Sequence, residues 1–290
     1  MDLIVNPWPD GWELLDCGDG RKLELFGGIA LDRPAAQAIW PADTAAPWSR
    51  ARAAFQRGEG GAGDWRQGAD PAPESWLARW RGLTFELRLT GFGNVGLFPE
   101  HVGHWQWIEE AVTGRLAAGP PSAPVEVLNL FAYTGGASLA AARAGALVTH
   151  VDAARAVNNW ASANLERAGI DGRRLRLITD DALKFVRREA RRSRRYHLIV
   201  LDPPTFGRGP RGEVWKIERD LHPLLAACAD ILAADALGLL LTAHSPGITA
   251  AVLRAVLAPL GGAVVDGEML LATAAGAPLL PAGSYARWAP

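Results

Sequence analysis

The segment His197-Leu-Ile-Val-Leu-Asp202-Pro203-Pro204-Thr205-Phe206 constrains this chain more than any other. The apolar residues before Asp202 read as a strand buried on both faces of a parallel sheet, and the two prolines forbid strand and helix alike from continuing. A carboxylate is therefore delivered to the carboxyl end of a strand, the edge at which open α/β sheets bind ligands. Pro203 holds Asp202 near extended geometry and Pro204 does the same to Pro203, so the loop presents backbone carbonyls with no N–H groups beside them. Such a loop accepts hydrogen bonds and hardly donates them, which suits a donor-rich target such as an amino group or a ring N–H. The alternative is a plain strand followed by a proline turn.

Seventy residues upstream the context favours the first reading. Val125-Glu-Val-Leu-Asn-Leu-Phe131 is a buried strand, Ala132-Tyr133-Thr134-Gly135-Gly136 a turn, and Ala137 to Gly145 an alanine-rich helix closed by glycine. Gly135 and Gly136 let the backbone approach a ligand at a helix N-terminus, a geometry that serves a nucleotide-like or carboxylate-bearing cofactor. The next strand, Leu147 to Asp152, ends in an acid about twenty residues on, where a carboxylate accepts hydrogen bonds from ribose hydroxyls. A third strand, Leu175 to Thr179, delivers Asp180, Asp181 and Ala182 to the same edge. The repeated order of strand, turn and helix is the signature of a parallel α/β sheet. Because the first turn lacks G-x-G-x-x-G spacing, a nicotinamide cofactor is disfavoured.

The remaining composition sets bounds. At 290 residues and 49% apolar content, without an eighteen-residue apolar run, the chain reads as soluble and globular, with no membrane partner. Its first ten residues carry no basic segment followed by an apolar one, so export is not expected. Cys17 and Cys228 stand far apart in unrelated contexts, which argues against a disulfide framework or a zinc site and fits a cytoplasmic location; no metal is expected. A formal net charge of −1 leaves any nucleic-acid partner to be gripped by a local patch. One candidate is the run Arg187, Arg188, Arg191, Arg192, Arg194 and Arg195, for which the alternative is a solvated helix end. Residues 1 to 82 read as a small β-rich module ending in Gly/Pro-rich stretches, Gln56 to Asp64 and Gln67 to Pro73; residues 83 to 290 read as the second domain. Nine of the twelve tryptophans precede residue 110, and without regular interleaving of Lys or Arg they read as core filling rather than as base-stacking groups.

Taken together, Asn129-Leu-Phe-Ala-Tyr-Thr-Gly-Gly136, Val151-Asp152, Asp180-Asp181-Ala182 and Leu201-Asp-Pro-Pro-Thr-Phe206 resemble the S-adenosylmethionine-dependent methyltransferases of the large-subunit ribosomal RNA family. The resemblance covers roughly residues 83 to 262, and Gly93 to Glu100 is similar to the segment preceding the family's cofactor strand. It implies a Rossmann-like α/β fold with the seven-stranded class I methyltransferase sheet, one strand antiparallel near the C-terminus. Ala263 to Ala272 and Tyr285 to Trp288 fit the last pair. It also implies S-adenosylmethionine as cofactor and RNA, most readily ribosomal, as partner. Residue by residue, Phe131, Tyr133, Thr134 and Gly135 would cradle the methionine side and Asp152 would accept from the ribose. Asp181 and Ala182 would lie near the adenine. Asp202, Pro203, Pro204 and Phe206 would meet the substrate base, with Thr205, Lys216 and His244 as substrate contacts.

One departure bears on the chemistry. Methylating carbon 5 of a pyrimidine needs a transient bond to C6, which a cysteine thiolate supplies. Where the family's 5-methylcytosine members carry that cysteine, this chain has His244 in Leu239-Leu-Leu-Thr-Ala-His244-Ser245-Pro246. Cys17 lies in the N-terminal module and Cys228 in an apolar helix, so nitrogen methylation is expected instead. His244 then orients substrate or acts as a base, or is structural. Arg208, Arg211 and Lys216, after Phe206, are candidates for phosphate contact or simply an exposed loop. Methyl transfer to a small molecule or protein side chain, and a non-catalytic RNA-binding protein with this fold, are the alternatives.

Overall fold

A computed structural model describes residues 1–58, 62–118, 124–276 and 278–290. Residues 59–61, within the Gly-rich stretch expected to be an exposed loop, lie outside the described residues.

The chain divides into two compact units: Met1–Leu3, His101–Met269 and Gly283–Pro290 form one, and Ile4–Glu100 with Leu270–Ala282 form the other. After a short first strand, β1 (Leu3–Val5), the second unit runs through β2 (Trp12–Gly18), β3 (Arg21–Phe26), β4 (Ile29–Pro34), β5 (Ala53–Arg57) and β6 (Gly63–Gln67), which form one sheet in that order. All neighbours in it are antiparallel except β4 and β5. β7 (Trp76–Trp80) and β8 (Leu83–Leu87) follow in sequence and pair antiparallel with each other. That pairing is why the boundary expected after residue 82 differs from the observed division at Glu100 and His101: a cut at 82 would separate β7 from the strand it is hydrogen-bonded to. The tryptophans act as internal struts. Trp12 donates to Glu24, Trp40 to the Cys17 carbonyl, Trp48 to Asp16, Trp65 to the Thr90 carbonyl and Trp76 to the Phe26 carbonyl, at 2.7–2.9 Å. Burying an indole requires satisfying its single N–H, and here it is done within the unit.

The first unit holds the parallel sheet. Pro99 opens a turn into α1 (Val102–Ala117), which buries Trp105, Ile108 and Val112 on one face. There follow β9 (Glu126–Leu130), α2 (Gly136–Arg143), β10 (Leu147–Asp152), α3 (Arg155–Arg167), β11 (Leu175–Thr179), α4 (Ala182–Arg191) and β12 (Leu198–Leu201). After a small hairpin, β13 (Phe206–Arg208) and β14 (Val214–Lys216), come α5 (Ile217–Ala229), β15 (Gly238–Ala243), α6 (Ala250–Leu257), β16 (Ala263–Ala272) and β17 (Leu279–Ala289). The sheet order is β1-β16-β17-β15-β12-β9-β10-β11. β9, β10, β11, β12 and β15 are parallel and β17 runs antiparallel to β15. This is the expected seven-stranded arrangement, with β1 added as an eighth strand next to β16. Every residue of β12 and β15 is buried, as strands covered on both faces must be. The strand order reverses between β9 and β12, so the carboxyl ends of these two strands open the crevice where ligands of such sheets bind. Among the described residues, no helix is long and apolar enough to cross a membrane.

Candidate active site

Two sets of residues meet the carboxyl edge. The first follows β9. Phe131 and Tyr133 adopt φ of 55° and 49°, and Gly135 adopts 98°. Left-handed backbone at two bulky residues is costly and persists only where the surroundings enforce it. Here they do: the Asp152 carboxylate at the end of β10 accepts from the Tyr133 N–H at 3.0 Å and from the Ala154 N–H at 2.9 Å. Asn164 donates to the Thr134 carbonyl at 3.0 Å. Burial raises the Asp152 pKa while these backbone N–H groups work against it. Each oxygen keeps lone-pair capacity for a further donor, which suits a ribose diol.

The two glycines differ. A Cβ at Gly135 would meet only ordinary contacts at 3.6 Å or more, so its positive φ is what demands glycine. At Gly136 a Cβ would stand 2.1 Å from the Trp105 ring, so the close approach expected there toward a ligand is instead to an indole of α1.

Beneath the turn lies a buried polar chain. Asn129 donates to Ser138 at 2.9 Å, and Ser138 lies 3.0 Å from Nδ1 of the fully buried His150. Burial lowers the His150 pKa to about 4, against hydrogen bonds to Asn158 and the Tyr133 backbone that favour its charged form. Farther along, Asp181 caps α4, accepting from the Lys184 N–H at 2.9 Å, and Ala182 is buried in its first turn. The buried acid of the pair is Asp180, held by Arg188 at 2.6 Å.

The second set surrounds Asp202. Its Oδ1 accepts from the Thr242 hydroxyl at 2.6 Å and lies 3.4 Å from His244 Nε2; its Oδ2 lies 3.4 Å from His101 Nε2. The two Nε2 atoms are 3.2 Å apart across 143 residues of sequence. Burial would raise the Asp202 pKa, but the two imidazoles outweigh it and hold the carboxyl well below its ordinary range. Among the described residues, His101, Asp202 and His244 form the one group of His, Cys, Asp or Glu side chains that could hold a metal ion, although the sequence leads one to expect none.

The proline lip departs from expectation in one respect. The Pro204 carbonyl does not point outward unengaged: it accepts from the Trp215 indole at 2.7 Å, and the same indole packs on Phe131 with ring centroids 4.8 Å apart. Thr205 pairs with Ser245 at 2.7 Å. Phe206 is 51% exposed. In place of an irregular loop, β13 and β14 pair Phe206 with Lys216 and Arg208 with Val214, all four exposed, while Gly207 and Trp215 face inward. Arg208 stands over the Phe206 ring at 6.0 Å, whereas Arg211 is engaged by Asp180 and Glu213.

The arginine cluster splits. Arg188 folds back to Asp180 at the carboxyl edge, while Arg194 lies 3.5 Å from Glu126, the first residue of β9, at the opposite edge of the sheet from Asp202. A helix returning antiparallel to its strands places its C-terminus there, so most of this run does not face the crevice. Sequence reasoning also missed His101, Thr242, Ser245 and Trp215. Only His101 carried a signal, as the residue after Gly93–Glu100 at a helix start.

A family model described as S-adenosylmethionine-dependent methyltransferase matches residues 31–255. The chain is similar to a SAM-dependent methyltransferase from Agrobacterium tumefaciens of known structure, with 39% identity, a TM-score of 0.90, and coverage of 100% of this chain and 93% of that one. It is also 37% identical over 153 residues to proteins named ribosomal RNA large subunit methyltransferase K/L from Shewanella frigidimarina and Shewanella loihica. That match takes in 52% of this chain and 20% of each relative, so the chain spans about a fifth of their length. With the family model matching residues 31–255 and a relative of 39% identity covered to 93%, the chain belongs to the S-adenosylmethionine-dependent methyltransferases.

Proposed function

We propose that the protein methylates a nucleobase of ribosomal RNA at nitrogen, in the cytoplasm. The observation that carries this reading is Asp202: an ionised acceptor at the crevice, fixed by Thr242 and facing two imidazoles, with no thiol among them. Bound S-adenosylmethionine supplies a methyl group on a sulfonium that leaves as a neutral thioether. Phe131, Tyr133, Thr134 and Gly135 would hold its methionine end, Asp152 would accept from its ribose hydroxyls, and Asp181 and Ala182 would border its adenine.

For the acceptor, alignment is most of the catalysis. Asp202 and the Pro203 carbonyl accept hydrogen bonds from the attacking nitrogen and aim its lone pair. Once nitrogen has bonded to carbon it must lose a proton, which solvent at the exposed lip can take, while His244 orients the substrate beside Asp202. Phe206 stacks on a base turned out of its helix, Thr205 fixes the lip through Ser245, and Lys216 and Arg208 take phosphates beside Phe206. Carbon-5 chemistry is disfavoured by both thiols. Burial pushes Cys228 far up and raises Cys17 to about 11, so neither is a ready thiolate.

Nucleoside mapping of ribosomal RNA by mass spectrometry, in a strain lacking the gene and in one complemented with the Cys17→Ser/Cys228→Ser double variant, tests this. The expected result is one N-methylated nucleoside missing from large-subunit RNA and restored by the variant. Loss of 5-methylcytosine, or failure of a stably folded variant to restore, sinks the nitrogen assignment. The position of the arginine cluster, away from Asp202, favours a second reading in which the acceptor is a small molecule or a protein side chain. Radiolabelled methyl transfer to purified ribosomal RNA separates the two.

A further inference from the structure

Nothing in methyl transfer requires three ligand-bearing side chains to converge on one point, yet His101, Asp202 and His244 do. Both rings present the same nitrogen, Nε2. The separations are 3.2 Å between the nitrogens, 3.4 Å from His101 to Oδ2 of the carboxylate and 3.4 Å from His244 to Oδ1, and one ligand atom from each residue lies within 4.8 Å of the other two. As a hydrogen-bonded cluster this is a poor arrangement. Charge-assisted N–H···O bonds close to about 2.7–2.9 Å, and two Nε2 atoms in contact require one ring to give up its proton there. As a ligand set it fits. With metal–nitrogen and metal–oxygen bonds of about 2.0–2.1 Å, the edge of a coordination tetrahedron is about 3.3–3.4 Å long.

We propose that His101, Asp202 and His244 bind a divalent cation of the zinc type, with a fourth position open at the crevice. Two imidazoles and one carboxylate with an open position is the donor set of catalytic zinc and of related first-row ions; magnesium and calcium would take oxygen ligands instead. The surroundings are those of a prepared site. Thr242 donates to the carboxylate at 2.6 Å and fixes its orientation, as outer partners of metal-ligating carboxylates do. On β17, Gly283 has φ of 152°, and a Cβ there would stand 2.7 Å from Met269 Cε and 2.9 Å from both the Ala243 carbonyl oxygen and His244 Nδ1. Only glycine leaves room for the ring in this orientation. The open position would take water or a nitrogen or oxygen atom of the substrate, so the cation would act as an electrophilic anchor at the lip.

Cation binding needs neither cofactor nor RNA, so its failure is distinguishable from failure of the proposed reaction. Tag-free full-length protein, stripped by a chelator, is titrated with Zn²⁺ by calorimetry and with Co²⁺ by visible absorption. We expect one equivalent to bind, with the intense absorption of four- or five-coordinate cobalt. His101→Ala and His244→Ala should each lower zinc affinity by about 100-fold or more while still binding S-adenosylhomocysteine, which shows them folded. X-ray absorption at the zinc edge of the loaded wild-type protein should show two imidazole ligands, a readout that needs no variant. The absence of saturable zinc binding, an edge spectrum without imidazole scattering, or unchanged affinity in the folded variants overturns the proposal.

Discussion

The proposed cofactor half and the proposed substrate half of this sheet edge are made from different materials. Around β9, β10 and β11 recognition is built from backbone: a turn in left-handed conformation, held by N–H groups that close on Asp152, over a neutral buried chain of Asn129, Ser138 and His150. Around β12 and β15 it is built from side chains: an ionised Asp202, two imidazoles, three hydroxyls and an exposed ring. Backbone recognition suits a ligand that never changes. Side-chain recognition suits one that differs among relatives, because single substitutions alter it without rebuilding the turn.

The largest test of that division is Asp202→Ala. Turnover should fall by about 10³-fold or more, roughly 4 kcal/mol in the barrier, while S-adenosylhomocysteine affinity stays within about tenfold, roughly 1.4 kcal/mol. Equal losses in calorimetry and in kinetics would transfer Asp202 to the cofactor half.

A pH effect of about 3 kcal/mol should come from the cofactor half. His150 is lowered by burial to about 4, so the native state prefers it neutral. Its contribution to stability is complete above the ordinary histidine value of about 6.5 and is lost as pH falls from there toward 4. Guanidinium unfolding at pH 7 and pH 4.5 should show the loss, and His150→Asn should flatten it. A variant with the wild-type pH slope would remove His150 as its source.

Asp152→Asn keeps the size of the side chain but trades one acceptor for a donor facing a backbone N–H. Cofactor affinity should fall by about 2 kcal/mol, roughly thirtyfold, with little change in RNA affinity. Smallest is Phe206→Ala. At 51% exposure its removal should leave the melting temperature within about 1 °C, yet weaken RNA binding by about 1–2 kcal/mol in a filter or anisotropy assay. An unchanged RNA affinity would take the hairpin face out of the substrate half.

These materials also explain what could be read from the sequence. The turn from Phe131 to Gly136, the acid ending β10 and the Asp-Pro-Pro lip are each contiguous, and a strand delivers its last residue to the edge by geometry alone. The parallel direction of the central strands follows from the alternation of strand and helix, whereas the seven-stranded arrangement with its antiparallel strand comes only with the resemblance to the methyltransferase family. The substrate half is legible only at Asp202 to Phe206. His101 reaches it from the start of α1, Thr242 from the strand hydrogen-bonded to β12, Ser245 from just past that strand's end, and Trp215 through the register of a hairpin that the proline turn does not announce. Gly136 shows the same limit inside a motif: its partner is an indole thirty-one residues earlier, not a ligand. For the arginine run, composition gave the charge, but only the return path of α4 gives the side of the sheet.

Trp215 sets how such an enzyme can diversify. One indole braces the Pro204 carbonyl and walls the Phe131 ring, so drift at the lip is transmitted to the turn that holds the cofactor. Trp215 is thus a keystone whose replacement should loosen lip and turn together, whereas Phe206, Arg208 and Lys216, exposed on the hairpin, can be exchanged without disturbing either.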